Sequence, residues 1–170
     1  ILYNGSSAKN YLNKYKDAVK IPHDRERGLP LLELKEFHRS WVDILVDEEN
    51  KQMMENIVNE NKQRDVLRSN NLRPQQKILF YGPPGCGKTL AAEIISSVLG
   101  YPLVYIRFDG VVSSYLGETA ANLRKIFNFV ESGDWVVLFD EFDIIGKGRD
   151  NQFEHGEMKR VVNNLLQMID

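Results

Sequence analysis

Apolar runs alternate with amphipathic stretches from about Leu29 to the end of the chain. Leu29 to Phe37 alternates after Pro30 and predicts a short strand. Asp47 predicts a helix cap, with Glu48 and Glu49 in the first turn, where the helix dipole favours acid. That helix is expected to reach about Ser69, with Met54, Ile57, Val58 and Leu67 facing inward. Lys77 to Tyr81 reads as a strand, Leu90 to Leu99 as a helix stopped by Gly100 and Pro102, and Leu103 to Phe108 as a strand. Asp109 to Gly117 reads as a loop. Glu118 to about Glu131 reads as a helix with Leu123, Ile126, Phe127 and Val130 facing the core. Trp135 to Phe139 is a continuous apolar run, of the kind buried on both faces of a parallel sheet. A polar loop over Ile144 to His155 precedes a last helix ending near Ile169. Strands alternating with helices predict an α/β fold with a parallel sheet covered on both faces. Residues 1–28 lack this periodicity and read as a flexible arm or linker, although Tyr3, Tyr11, Leu12 and Tyr15 could form a short amphipathic helix. The domain proper is expected over residues 29–170.

Between the expected strand at Lys77 and the helix at Leu90 lies Gly82-Pro83-Pro84-Gly85-Cys86-Gly87-Lys88-Thr89. It fits G-x-x-x-x-G-K-[ST] in the strand–turn–helix context of a phosphate-binding loop. Backbone N–H groups of such a turn point inward and cradle phosphate oxygens, and the helix dipole favours their charge. Lys88 would reach the β- and γ-phosphates, Thr89 would offer its hydroxyl to Mg²⁺, and Leu90 continues the binding turn. Cys86 near a helix N-terminus and Lys88 has two readings, a reactive thiol or simply a small residue that fits.

About 50 residues downstream, Val136-Val137-Leu138-Phe139-Asp140-Glu141 is an apolar strand ending in an acidic pair. Asp140 would hold Mg²⁺ through water beside Thr89. Glu141, at the turn, would polarise a water for attack on the γ-phosphate. A solvated acidic turn is the plainer alternative.

Composition adds exclusions. The 170 residues suit one domain, and 42% hydrophobic with 27% charged residues is the composition of a soluble protein. A net charge of −2 without a basic stripe argues against a nucleic-acid partner. No apolar run approaches the ~20 residues of a membrane span. The polar N-terminal stretch is no secretion signal. One cysteine excludes an internal disulfide and suits a reducing, cytoplasmic setting. His23, His38 and His155 stand apart and read as surface residues. The chain begins at Ile1, which suggests a fragment.

Gly82 to Thr89, Ser114-Tyr115-Leu116-Gly117-Glu118, Leu138-Phe139-Asp140-Glu141-Phe142-Asp143 and Val161 to Asp170 together resemble the AAA family of ATPases. The likeness spans about Leu29 to Asp170 and is greatest to bacterial AAA proteins of undefined role. It implies a P-loop NTPase fold, three-layer αβα with a parallel sheet incomplete at its C-terminal side. It also implies ATP and Mg²⁺ as ligands, hydrolysis with Lys88 and Glu141 as catalytic residues, and a homo-oligomeric, hexameric ring. Val42 to Leu45 would match the adenine-lining segment, with Ile44 contributing a side chain; a plain hydrophobic link into the helix is the other reading. Tyr115 and Leu116 would match a pore-loop pair that grips a translocating protein substrate, unless Tyr115 is tucked against its own domain. The family's next strand, sensor residue, arginine finger and lid fall beyond Asp170, with Arg149 and Arg160 too early for the finger. An arginine finger can contribute ~10³–10⁵ in rate, so the segment alone is expected to be nearly inactive. Alternatives to a protein-remodelling motor are an ATP-binding switch or scaffold with slow hydrolysis, and a DNA-associated P-loop ATPase.

Overall fold

The computed structural model describes residues 20–107, 111, 116–141 and 163. The expected N-terminal amphipathic helix, the loop over Ile144 to His155, the last helix apart from Asn163, and Tyr115 lie outside these residues. The elements in order are β1 (Glu33–Lys35), a 3₁₀ turn (Trp41–Asp43), α1 (Glu48–Lys62), α2 (Arg64–Ser69), α3 (Lys88–Leu99), β2 (Leu103–Arg107), α4 (Leu116–Val130) and β3 (Val136–Asp140). They fall into two compact units, one of residues 1–35 and 104–170, the other of Glu36–Leu103.

The first unit carries the sheet, in the order β1-β2-β3. Helix α4 is the crossover that joins the neighbouring strands β2 and β3, as a parallel pair requires. Val104 and Ile106 of β2 are fully buried against Leu123, Ile126 and Phe129 of α4, with Leu31, Leu32 and Val111 completing the core. The helix period expected for α4 therefore holds, and Phe129 adds a buried ring stacked on Trp135 at 5.5 Å. Helix α4 starts two residues earlier than expected, so Leu116 and Gly117 have helical backbone instead of loop. Strand β3 departs from its expected burial: all five residues are half-buried, and β2 takes the most buried place. Lys125 Nζ donates to the His23 carbonyl at 2.9 Å, tying α4 to the turn where His23 bridges Pro30.

The second unit packs α1 against α3. Met54, Ile57 and Val58 of α1 are buried, as are Ala91, Ala92, Ile94 and Ile95 of α3. Gly100 ends α3 in the left-handed conformation at φ 73°, the usual glycine stop. Ser97 accepts the Arg39 N–H at 3.1 Å and donates to the Phe37 carbonyl at 2.7 Å, fastening the incoming chain to α3. The single helix expected from Asp47 to Ser69 is broken at Gln63, whose N–H is shared between the Asn59 and Glu60 carbonyls. Beside the break, the Asn61 amide bonds both the Ile57 carbonyl and the Gln75 carbonyl, drawing the chain after α2 back onto α1.

The strand expected at Lys77 to Tyr81 is absent. Leu79 is 81% and Tyr81 89% exposed, and the segment joins no ladder among the described residues. An apolar run becomes a strand only when a neighbour takes up its N–H and C=O groups.

Asp47 caps α1 as expected, accepting the Asn50 N–H at 2.8 Å and its side-chain amide at 2.6 Å. The backbone bond, then the amide, hold its carboxyl below the usual carboxylate range. A depressed folded value stabilises above the unfolded value and loses that effect as pH falls through the folded one. Asp47→Ala is therefore expected to lower the melting temperature at neutral pH, with the difference closing in acid. Equal melting curves at neutral pH, followed by circular dichroism, would refute the cap.

Candidate nucleotide site

The second unit holds the glycine-rich loop. Gly82, Gly85 and Gly87 have φ of 149°, 78° and 88°, conformations that side chains rarely adopt. At Gly82 a Cβ would also stand 3.0 Å from Cys86 Sγ, so a side chain there would have to displace the thiol as well as adopt a strained backbone. Gly87 is the N-cap of α3, and the first turn of α3 contains no acidic residue. The positive end of the helix dipole therefore opens onto the loop with no carboxylate from that turn competing for it.

Lys88, the first residue of α3, turns back across the loop. Its Nζ donates to the Gly82 and Pro83 carbonyls, both at 2.9 Å, and stands 3.8 Å from Cys86 Sγ. An ammonium has three donors. Its bonds to neutral carbonyls are weaker than bonds to an anionic oxygen, where both partners carry charge, so a phosphate can draw this group away from the loop. Thr89 and Leu90 follow on the same turn and are half-buried, whereas Pro83, Pro84, Gly85 and Cys86 are exposed.

Ile44 belongs to this cluster. Its Cδ1 lies 3.6 Å from the position a Cβ on Gly87 would take. Its neighbours turn outward, Val42 at 91% and Leu45 at 100% exposure. Ser40 and Asp43 set this direction. The Ser40 N–H bonds Asp43 Oδ2 at 2.7 Å, closing the 3₁₀ turn, and Ile44 leaves it extended at φ −123°, ψ 134°. The Ser40–Asp43 pair was not singled out from sequence, although S-x-x-D is a readable capping signature.

The first unit holds the acidic pair. Asp140 ends β3, and Glu141 follows in the left-handed conformation at φ 58°, exposed. The Glu141 N–H donates to Asp140 Oδ1 at 2.9 Å. On the other side the Tyr105 hydroxyl, from β2, donates to Asp140 Oδ2 at 2.7 Å. Burial, then the Asp140 hydrogen bond and charge, push the Tyr105 pKa up to about 12. The phenol therefore stays protonated and remains a donor near neutrality. Nothing in the apolar pattern of β2 marks Tyr105, because its partner comes from another strand.

Lys88, the loop glycines and Ile44 are thus assembled in one unit, and Asp140 and Glu141 in the other. Tyr115 lies outside the described residues, and Leu116 opens α4.

Comparison with known proteins identifies the family. The family model described as "ATPase family associated with various cellular activities (AAA)" matches residues 78–170. A Sinorhizobium fredii protein named as an uncharacterized AAA family ATPase is 47% identical over 128 residues, 75% of this chain and 39% of its own length. The peroxisomal ATPase pex6 of Schizosaccharomyces pombe is 37% identical over 133 residues, 77% of this chain and 14% of its own. The peroxisomal ATPase PEX6 of Komagataella pastoris is 31% identical over 160 residues, 93% of this chain and 13% of its own. The chain therefore spans well under half the length of these curated relatives. The match covers the loop, the acidic pair and everything between them, and the chain belongs to the AAA family of ATPases, with the P-loop NTPase αβα fold of that family.

Proposed function

We propose that residues 29–170 are the nucleotide-binding part of an ATPase that couples Mg²⁺-dependent ATP hydrolysis to remodelling or threading of a protein substrate. The observation that carries this reading is the Lys88 ammonium, held by two backbone carbonyls across a glycine loop at the N-terminus of α3. Family membership and the relatives' names, each an ATPase, support it.

Gly82 to Leu90 would cradle the phosphates, Lys88 would balance their charge, and Ile44 would rest against the base. The donors suit a cation held jointly with substrate. No group of three or more His, Cys, Asp or Glu among the described residues forms a cage, and Mg²⁺ commonly uses one or two carboxylates plus phosphate oxygens. Thr89 and Asp140 would hold it, Asp140 through water. Bound there, Mg²⁺ supplies charge neutralisation at the phosphates. Glu141 would orient the attacking water, its exposed carboxylate leaving it open to solvent.

The assembly proposed is a homo-oligomeric, hexameric ring in the cytoplasm, with little turnover by the 170-residue segment alone. None of the described helices is long and apolar enough to cross a membrane. Tyr115 and Leu116 would line the ring's pore, where an aromatic side chain can grip an extended chain with little sequence preference. Tyr115→Ala in the intact protein is expected to abolish substrate processing while ATPase activity persists. Undiminished processing alongside unchanged ATPase activity would sink the threading model and leave a nucleotide switch.

A further inference from the structure

The side chains around Asp140 form a line across all three strands. Glu33 Oε2 lies 2.8 Å from Lys35 Nζ, both on β1. Lys35 Nζ sits 4.2 Å from the centroid of the Tyr105 ring on β2. The Tyr105 hydroxyl reaches Asp140 Oδ2 on β3 at 2.7 Å. Because the sheet order is β1-β2-β3, Lys35 and Tyr105 each act on the next strand over, whereas Glu33 pairs with Lys35 within β1.

A carboxylate at the end of a strand rotates readily, since its terminal torsion has a broad two-fold profile. Asp140 accepts a donor on each oxygen, the Glu141 N–H on Oδ1 and the Tyr105 O–H on Oδ2. The first bond is local and moves with the backbone turn at Glu141. The second comes from a separate strand and fixes the carboxylate plane relative to the sheet. A hydroxyl that only needed a partner could use water at this half-buried position. A short bond to an ionised carboxylate is charge-assisted and about twice as strong as a neutral one. The Lys35 cation over the ring holds the plane of the phenol by attraction to the ring face.

We infer that Tyr105 is a positioning residue for the divalent cation: its hydroxyl orients the Asp140 carboxylate, and Lys35 orients Tyr105. This inference rests on the proposed role of Asp140 in holding Mg²⁺. Hydrogen-bond partners of metal-holding side chains commonly contribute 10–100-fold to metal affinity. A carboxylate acting through water lies at the low end of that range.

The test uses the intact protein and a fluorescent ATP analogue, with affinity measured first in EDTA and then against rising Mg²⁺. Tyr105→Phe keeps the ring and removes the hydroxyl. It is expected to leave affinity in EDTA unchanged and to raise the Mg²⁺ concentration at half-effect about tenfold. Lys35→Met is expected to shift the midpoint the same way by less, and Lys35→Arg, which keeps a cation over the ring, to restore it. A Tyr105→Phe midpoint equal to wild type overturns the inference alone. Equal losses with and without Mg²⁺ also overturn it, because they mark a purely structural role. Wild-type protein that binds no nucleotide overturns the site reading itself, and this inference with it. Should Tyr105→Phe not fold, the two Lys35 variants carry the same comparison, and midpoints equal to wild type in Lys35→Met then overturn it.

Discussion

Lys88→Ala is expected to lower nucleotide affinity by about two orders of magnitude with little change in melting temperature. The ammonium donates to the Gly82 and Pro83 carbonyls and, more weakly at 3.8 Å, to Cys86 Sγ, all within its own loop. In exchange for these it would make bonds to phosphate, and a hydrogen bond to a charged group contributes about 1.5–3 kcal/mol net. One or two such bonds lost, at about 1.4 kcal/mol per tenfold, place the effect near 10²-fold. The fold should tolerate the change. Helix α3 is held by Ala91, Ala92, Ile94 and Ile95, which are buried, whereas Lys88 is only half-buried. Titration with a fluorescent ATP analogue and a thermal melt on the same preparation separate the two quantities. Affinity within a factor of a few of wild type would show that Gly82 to Thr89 is not the phosphate site.

Glu141 carries the second large effect, and its backbone makes that effect unusual. Glu141→Gln is expected to slow hydrolysis about 10²–10⁴-fold while nucleotide still binds, since general-base assistance has that size. The left-handed conformation at φ 58° adds a second consequence. A residue with a Cβ loses about 1–2 kcal/mol there, and glycine does not. Glycine in turn loses about 0.5–1 kcal/mol in backbone entropy. Because Glu141 is exposed, truncation removes no core packing. Glu141→Gly should therefore abolish turnover yet melt at the same temperature or slightly higher. Strained backbone of this kind persists where function requires the side chain. Release of phosphate from single-turnover mixtures and calorimetry of the same variants test both halves. Turnover near wild type in Glu141→Gln would remove this residue from catalysis.

Much of the fold was legible because the forces involved are local. The Asp47 cap, the inward faces of α1 and α4, and the glycine stop of α3 each depend on residues within about one helical turn. The two halves of the candidate site were legible for a related reason. A glycine loop before a helix, and an acidic pair after an apolar strand, are backbone constraints written in consecutive residues. The break at Gln63 was not legible, because it accompanies the bond from Asn61 to the Gln75 carbonyl, fourteen residues away.

By itself, then, the sequence determined the α/β class, the inward faces of α1 and α4, the positions of Lys88, Thr89, Asp140 and Glu141 at the ends of their elements, and membership of the AAA family. Tertiary structure decided what depends on distant partners. Lys77 to Tyr81 carries a strand's composition but joins no ladder among the described residues, since pairing needs a neighbour's backbone and not only apolar side chains. Ile44 rests on Gly87 because the Ser40–Asp43 turn aims it there, while equally apolar Val42 and Leu45 face solvent. Tyr105 meets Asp140 because β2 and β3 are adjacent, a fact of sheet order that no periodicity within either strand contains.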